Sequence, residues 1–241
     1  MTRHSQLFSD RQLVVLGTLS ELIRDVQSQV ESDGASEKYS RAVATFLGFT
    51  ISKLADRCSS LCGWDIGYVK IAHVFGRHTL SMVWDFAEGN PFSNSTGNVG
   101  SAIGWIAKAV DQSPKGVVGE VRQLDATRIE EYSQNDFVLS TDPPYYDNVP
   151  YADLSDFFYV WLRASLQELY PSLLGTMLVP KMDELVAEPF RHGGKQEAAK
   201  FFEDGMTSVF SAAKSIAADN IPSTIYYAFK QSESKESTGT A

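Results

Sequence analysis

Residues 135–148 read NDFVLSTDPPYYDN, and they restrict the fold more tightly than any other stretch of the 241-residue chain. A short apolar run, Phe137-Val138-Leu139, predicts a strand that stops abruptly in a polar turn. The turn carries one acid, two prolines and two aromatics. Pro143 and Pro144 fix φ and remove two backbone donors, so the loop is stiff and its carbonyls are left to accept. Asp142 adds a carboxylate at the C-terminal end of the strand, where open α/β sheets place their ligands. Tyr145 brings a flat face next to those acceptors. A rigid row of acceptors beside an aromatic plate suits a planar group with an amino donor, such as a nucleobase taken out of its stack. A bare Asp-Pro-Pro is more often a plain turn; the full string DPPY directly after an apolar strand is the more specific signal.

That string resembles the catalytic motif of amino-group DNA methyltransferases. The likeness extends over TDPPYYDNVPYADLSDFFYVWLR (141–163) and PKMDELVAEPFRHGGKQEAAKFFEDGM (180–206). WDFAEGNPFS (84–93) and YYAFKQSE (226–233) add shorter blocks. Together they are similar to a family of large adenine-specific DNA methylases, most clearly from about residue 125 onward. The resemblance implies an α/β fold, a partial Rossmann-like methyltransferase sheet with an N-terminal helical region. It implies S-adenosylmethionine as cofactor and a flipped adenine of DNA as substrate. Asp142, Pro143, Pro144 and Tyr145 would be catalytic, and Asp125 and Asp142 would meet the cofactor. Tyr146, Asn148, Arg191 and Lys195 would meet substrate or DNA. Asp125-Ala126-Thr127 resembles the turn that lies near the adenine ring of the cofactor.

Methyltransferases of this type hold their cofactor on a Gly-rich turn after the first strand. The nearest such stretch here is GNVGSAIG (97–104), which follows Pro, Ser and Asn residues rather than a strand and is a weak loop signal. In the resembled family that turn lies upstream of the matching blocks. The expectation is therefore a fragment or short form of a longer enzyme, with a companion chain or a missing N-terminal segment supplying the turn.

Charge narrows the partners. A formal net charge of −9 argues against a broad nucleic-acid-binding face, because DNA affinity is largely phosphate neutralisation; a local basic patch is compatible with it. The two cysteines, Cys58 and Cys62, are spaced as C-x3-C with no second pair at a zinc-like spacing, so they read as core residues and not as metal ligands. So few cysteines fit a reducing, cytoplasmic setting. No signal peptide is seen, and no apolar run reaches the ~18 residues that span a bilayer.

Three regions are expected: a mainly helical one over 1–115, the methyltransferase-like α/β region with the DPPY loop over 116–230, and a polar, disordered tail over 231–241. Residues 8–30 predict a helix, with Ser9 and Gln12 as a capping box and Phe8 packing on Leu13. Residues 36–61 predict a second helix, with Val43, Leu47, Leu54, Cys58 and Leu61 on one face, making a helical hairpin. Short strands are expected over 66–70 and 79–83, with His73 and His78 as ordinary polar residues. A solvated connector over 88–100 leads to a short helix over 101–111, with Ile103, Ile106, Ala107 and Val110 inward. Residues 116–124 alternate, so Val118, Val121 and Leu124 are core candidates. Residues 153–170 predict an aromatic-rich helix apolar nearly all round, which needs a partner surface. Residues 178–194 predict a loop in which Arg191 and Lys195 flank glycines and can grip a phosphate; without the resemblance it reads as a mobile surface turn. A helix over 197–218 and a strand over 223–229 complete the chain.

The implied reaction is methyl transfer to the exocyclic amino group of adenine. That nitrogen is a weak nucleophile, because its lone pair is delocalised into the ring. Asp142 and the Pro143 carbonyl, accepting from its two N–H bonds, would return electron density and aim it. Tyr145 would stack on the flipped base, and Pro144 would hold the loop. Two other readings stand beside this one: a non-catalytic, methyltransferase-like subunit that binds a partner chain, and amino-group methylation of another base.

Overall fold

The computed structural model describes residues 3–77, 79–114, 116–131 and 137–227. In chain order its regular elements are α1 (Asp10–Ser32), α2 (Glu37–Ala55), β1 (Trp64–Asp65), β2 (Lys70–Ile71), α3 (Val99–Asp111), β3 (Ser140–Thr141), α4 (Tyr151–Leu166), α5 (Pro171–Leu174), α6 (Lys195–Ile216) and β4 (Thr224–Ile225). Two compact units are formed, one from residues 1–117 and 151–181, the other from 118–150 and 182–241. The architecture is mixed and helix-rich, with two small sheets of two strands each.

In the first unit the helical hairpin forms as its end signals dictate. Ser9 caps α1 by accepting from the Gln12 amide, and the Gln12 side chain accepts from the Ser9 amide at 2.8 Å. Ser36 caps α2 in the same way, through the Tyr39 amide. Leu16 and Ile23 of α1 and Ile51 and Leu54 of α2 are buried in the shared core. The second helix stops at Ala55, earlier than expected, and Cys58 and Cys62 follow in turns. Both thiols are nonetheless buried and free, and burial pushes each up to a pKa of about 11. They are protonated, inert core groups, as the spacing suggested. Among the described residues no cluster of His, Cys, Asp or Glu can hold a metal ion, and no helix is long and apolar enough to cross a membrane.

The partner surface that α4 requires is the hairpin. Phe157, 1% exposed, packs among Phe8, Phe75 and Phe158, and Trp161 meets Phe8 edge-on at 5.2 Å. At Gly48 of α2 the absence of a side chain lets α4 approach: a Cβ there would stand 2.7 Å from Leu166 Cδ1. The aromatic helix was expected in the α/β region with the DPPY loop; it belongs instead to the helical unit. The chain leaves the first unit after residue 117 and returns to it over 151–181.

Other expectations are corrected. Trp64–Asp65 and Lys70–Ile71 form a two-stranded antiparallel hairpin with 66–69 as its turn, and 79–83 forms no strand. Ile103, Ala107 and Val110 of α3 are exposed; Ala102 is the buried residue of that helix. Residues 116–124 are irregular, with Val118 93% and Val121 97% exposed, and among the described residues no strand pairs with them. A Rossmann-like sheet is not formed by the described residues: the parallel sheet has two strands. The tail 231–241, His78 and the end of the last expected strand, including Phe229, lie outside the described residues.

Phe157→Ala removes a ring packed on several others, and such deletions cost about 3–5 kcal/mol. The expected outcome is a marked fall in denaturant midpoint, measured by circular dichroism, together with loss of near-ultraviolet signal from the aromatic cluster.

Candidate active site

The second unit is organised by a parallel backbone ladder. The Phe137 amide donates to the Ile216 carbonyl at 2.8 Å, and the Ala218 amide donates to the Phe137 carbonyl at 3.0 Å. Further along, Thr224 donates to Leu139 at 2.9 Å and Tyr226 to Thr141 at 2.8 Å. Ser140 and Thr141 of β3 thus run beside Thr224 and Ile225 of β4. The ladder ends at Thr141, and Asp142 is the next residue. The acid therefore stands at the C-terminal end of a parallel strand, as expected, but that strand is Ser140–Thr141 and not Phe137–Leu139, where Phe137 forms an isolated bridge to Ala217.

The loop that follows is held at several points. The Asn148 amide donates to the Tyr145 carbonyl at 2.9 Å and closes the turn. Tyr146 adopts φ of +48°, a left-handed conformation that bulky residues rarely take. Its carbonyl accepts from the Ala187 amide at 3.0 Å, and its ring meets Phe202 of α6 edge-on at 5.2 Å, which together hold it there. The Tyr145 hydroxyl donates to Asp142 Oδ1 at 2.6 Å, and the Tyr145 ring stands edge-on to Tyr227. This bond orients the carboxylate, and the DPPY spacing contains it: residues i and i+3 of one loop.

A cavity of about 700 Å³ opens beside the loop. Thr141, Asp142, Pro143 and Pro144 form one side, and residues 123–128 form another. Met206, Val209 and Phe210 of α6 supply an apolar wall, and Asp183 adds a second carboxylate. The structure thus brings together Asp125 and Asp142, two acids 17 positions apart in sequence, in one lining. Asp125 is engaged locally: Oδ1 accepts from the Thr127 hydroxyl at 2.7 Å and the Thr127 amide at 2.9 Å, and Arg128 stands 3.5 Å from Oδ2. The hydroxyl of Thr127, then its amide, hold this carboxyl below the usual range.

The residues expected to meet DNA divide. Tyr146 and Asn148 lie in the loop, and Lys195 is exposed at the first turn of α6. Arg191 is committed elsewhere. Its Nη1 stands 2.6 Å from Glu184 Oε2, and the two side chains are only 11% and 15% exposed. It ties together the 182–194 loop, a structural ion pair rather than a phosphate grip. The GNVGSAIG stretch is the start of α3 in the first unit, where Asn98 Oδ1 accepts from the Ser101 amide at 2.7 Å, and it does not line this cavity.

Sequence reasoning missed Thr141, Asp183 and the α6 wall. Met206, Val209 and Phe210 read as an ordinary apolar stripe, and nothing marked Asp183 within PKMDEL. Thr141 carries a sharper signal: its Oγ1 is buried and has no hydrogen-bond partner among the described residues. A buried hydroxyl without a partner, in a residue that borders a cavity, calls for an explanation. The volume lies in the range of small-molecule sites, roughly 300–1,000 Å³. Met206, Val209 and Phe210, the carboxylates of Asp125, Asp142 and Asp183, and the backbone and side chain of Thr141 give this lining both apolar and polar surface. A comparison with family models finds no match, and none is found among curated proteins or solved structures.

An unsatisfied buried hydroxyl costs about 1–3 kcal/mol. Thr141→Val should therefore leave the melting temperature unchanged or raise it slightly, measured by scanning calorimetry. A large fall in melting temperature would mean that the hydroxyl is satisfied in solution and is not kept for a ligand.

Proposed function

We propose that the second unit is the catalytic end of an S-adenosylmethionine-dependent methyltransferase that modifies the exocyclic amino group of adenine in DNA. On this reading β3 and β4 are two strands of a Rossmann-like sheet. One observation carries it: a DPPY loop at the C-terminal end of a parallel strand, at the edge of a cavity of about 700 Å³, with Tyr145 holding Asp142.

When bound, S-adenosylmethionine supplies an electrophilic methyl group on sulfur. The chain's own residues act on the amino nitrogen. Asp142, held through Oδ1 by Tyr145, keeps its other oxygen for one N–H of the base, and the Pro143 carbonyl takes the second. Accepting both bonds raises the nitrogen's electron density and aligns its lone pair. After transfer the nitrogen carries a surplus proton, and the Asp142 carboxylate accepts it. Tyr145 is thus assigned two tasks, orienting the acid through its hydroxyl and presenting a ring to the flipped base. Preorganised acceptors of this kind make up most of the rate gain.

A second reading has its own observation. Parallel strands are normally covered on both faces, yet Val138, Ile225 and Tyr226 are exposed on this pair. Apolar strand residues left in water favour a partner chain or segment that covers them. The unit would then act as the base-side part of a larger assembly, or as a non-catalytic subunit of one.

Asp142 is exposed, so Asp142→Ala should fold normally. Transfer of labelled methyl groups from S-adenosylmethionine to adenine-containing DNA should fall by at least about a hundredfold, the scale of losing one preorganised contact. Wild-type rates in the variant would rule out Asp142 and the proposed chemistry together.

A further inference from the structure

The first unit contains a second polar cavity, of about 390 Å³, that the methyltransferase reading does not use. Lys53, Arg57, Lys70 and His73 line it, and Trp105 forms one wall. In a chain with a net charge of −9 this grouping is against the average. Among the described residues no carboxylate pairs with Lys53 or Lys70. Asp65, opposite Lys70 across the β1–β2 hairpin, accepts instead from the Tyr68 amide at 3.1 Å. The Lys70 ammonium rests 4.4 Å from the Tyr68 ring centre, and the Lys53 ammonium 5.8 Å from that of Trp105.

Arg57 is preorganised beside them. It donates to the Ile71 carbonyl and, through Nη2, to His73 Nε2 at 2.6 Å. His73 Nδ1 donates in turn to Asp56 at 2.6 Å, which sets the tautomer. The nearby start of α3 is not the source of attraction, because Asn98 already accepts from the Ser101 amide. The cations themselves make the cavity anionophilic; Trp105, 61% exposed, has the Lys53 and Lys108 ammoniums 5.8 and 5.6 Å from its ring centre, and a base that reaches the ring exchanges places with one of them.

We infer that this cavity binds a nucleotide phosphate, with the phosphate on Lys53, Arg57 and Lys70 and the base against Trp105. The phosphate can come from a free mononucleotide or from a nucleic-acid strand, and the chemistry recognised is the same. The site does not depend on the DPPY loop, and its failure would leave that reading untouched.

The test is calorimetric titration of the full chain with three probes: inorganic phosphate, adenosine monophosphate and a terminally phosphorylated single-stranded oligonucleotide. Wild-type protein should bind all three, more weakly as salt rises. Lys53→Ala should weaken each about tenfold, and Lys53→Ala/Lys70→Ala about a hundredfold, the scale of losing one charge-assisted hydrogen bond per lysine. Trp105→Ala should weaken the two nucleotide probes and spare inorganic phosphate. Affinity that grows with oligonucleotide length assigns the source to a strand; equal affinity for the monophosphate assigns it to a free nucleotide. Absence of binding by all three probes, or equal binding by wild type and the double-lysine variant with an unchanged melting curve, would overturn the inference. Asp142→Ala should bind inorganic phosphate like wild type.

Discussion

The candidate site depends on a backbone ladder a few residues long. Four hydrogen bonds tie 137–141 to 216–226, and they set the direction in which Asp142 leaves the strand. The loop beyond is held by two prolines with no amide hydrogen to donate, a Tyr145–Asp142 bond, and contacts from Ala187 and Phe202 that keep Tyr146 at positive φ. On the proposed reading, an acceptor set fixed before substrate arrives needs no reorganisation when charge develops, and that is where such a loop would gain over water. The strain at Tyr146 has the same meaning. A bulky side chain in the left-handed region persists only where its surroundings over-determine it.

How much of this was legible in the sequence depends on how local the cause is. The α1 cap was readable because Ser9 and Gln12 are three residues apart, and the loop was readable because proline acts on its own φ. Apolar patterning carried less. It says which side chains favour burial, and it is silent on whether a surface exists to bury them. Val118 and Val121 alternate as a strand should, but with no partner strand among the described residues they stand in water. Ile103 and Val110 follow helical spacing and remain exposed on α3. The aromatic helix shows the converse. Its need for a partner was plain, and the partner, Phe8 and its neighbours, lay some 150 residues earlier in the chain.

Charge was the least legible property. Arg191 beside glycines looked available for phosphate, yet Glu184, seven residues earlier, holds it in a mostly shielded ion pair. Removing one partner of such a pair is strongly destabilising, so it is a poor candidate for a ligand grip. Conversely, Lys53, Arg57, Lys70 and His73 are scattered in sequence and meet only through the turn after α2 and the β1–β2 hairpin. A net charge of −9 concealed that local concentration, because net charge is a sum and a cavity senses its neighbours alone.

The central claim is that the cavity beside Asp142 holds the methyl donor. Calorimetric titration of the purified chain with S-adenosylmethionine tests it most directly. Saturable, one-to-one binding in the micromolar range, weakened in Thr141→Val, is the result this account predicts. Absence of binding, or binding that Thr141→Val leaves unchanged, would contradict the assignment of this cavity to the cofactor.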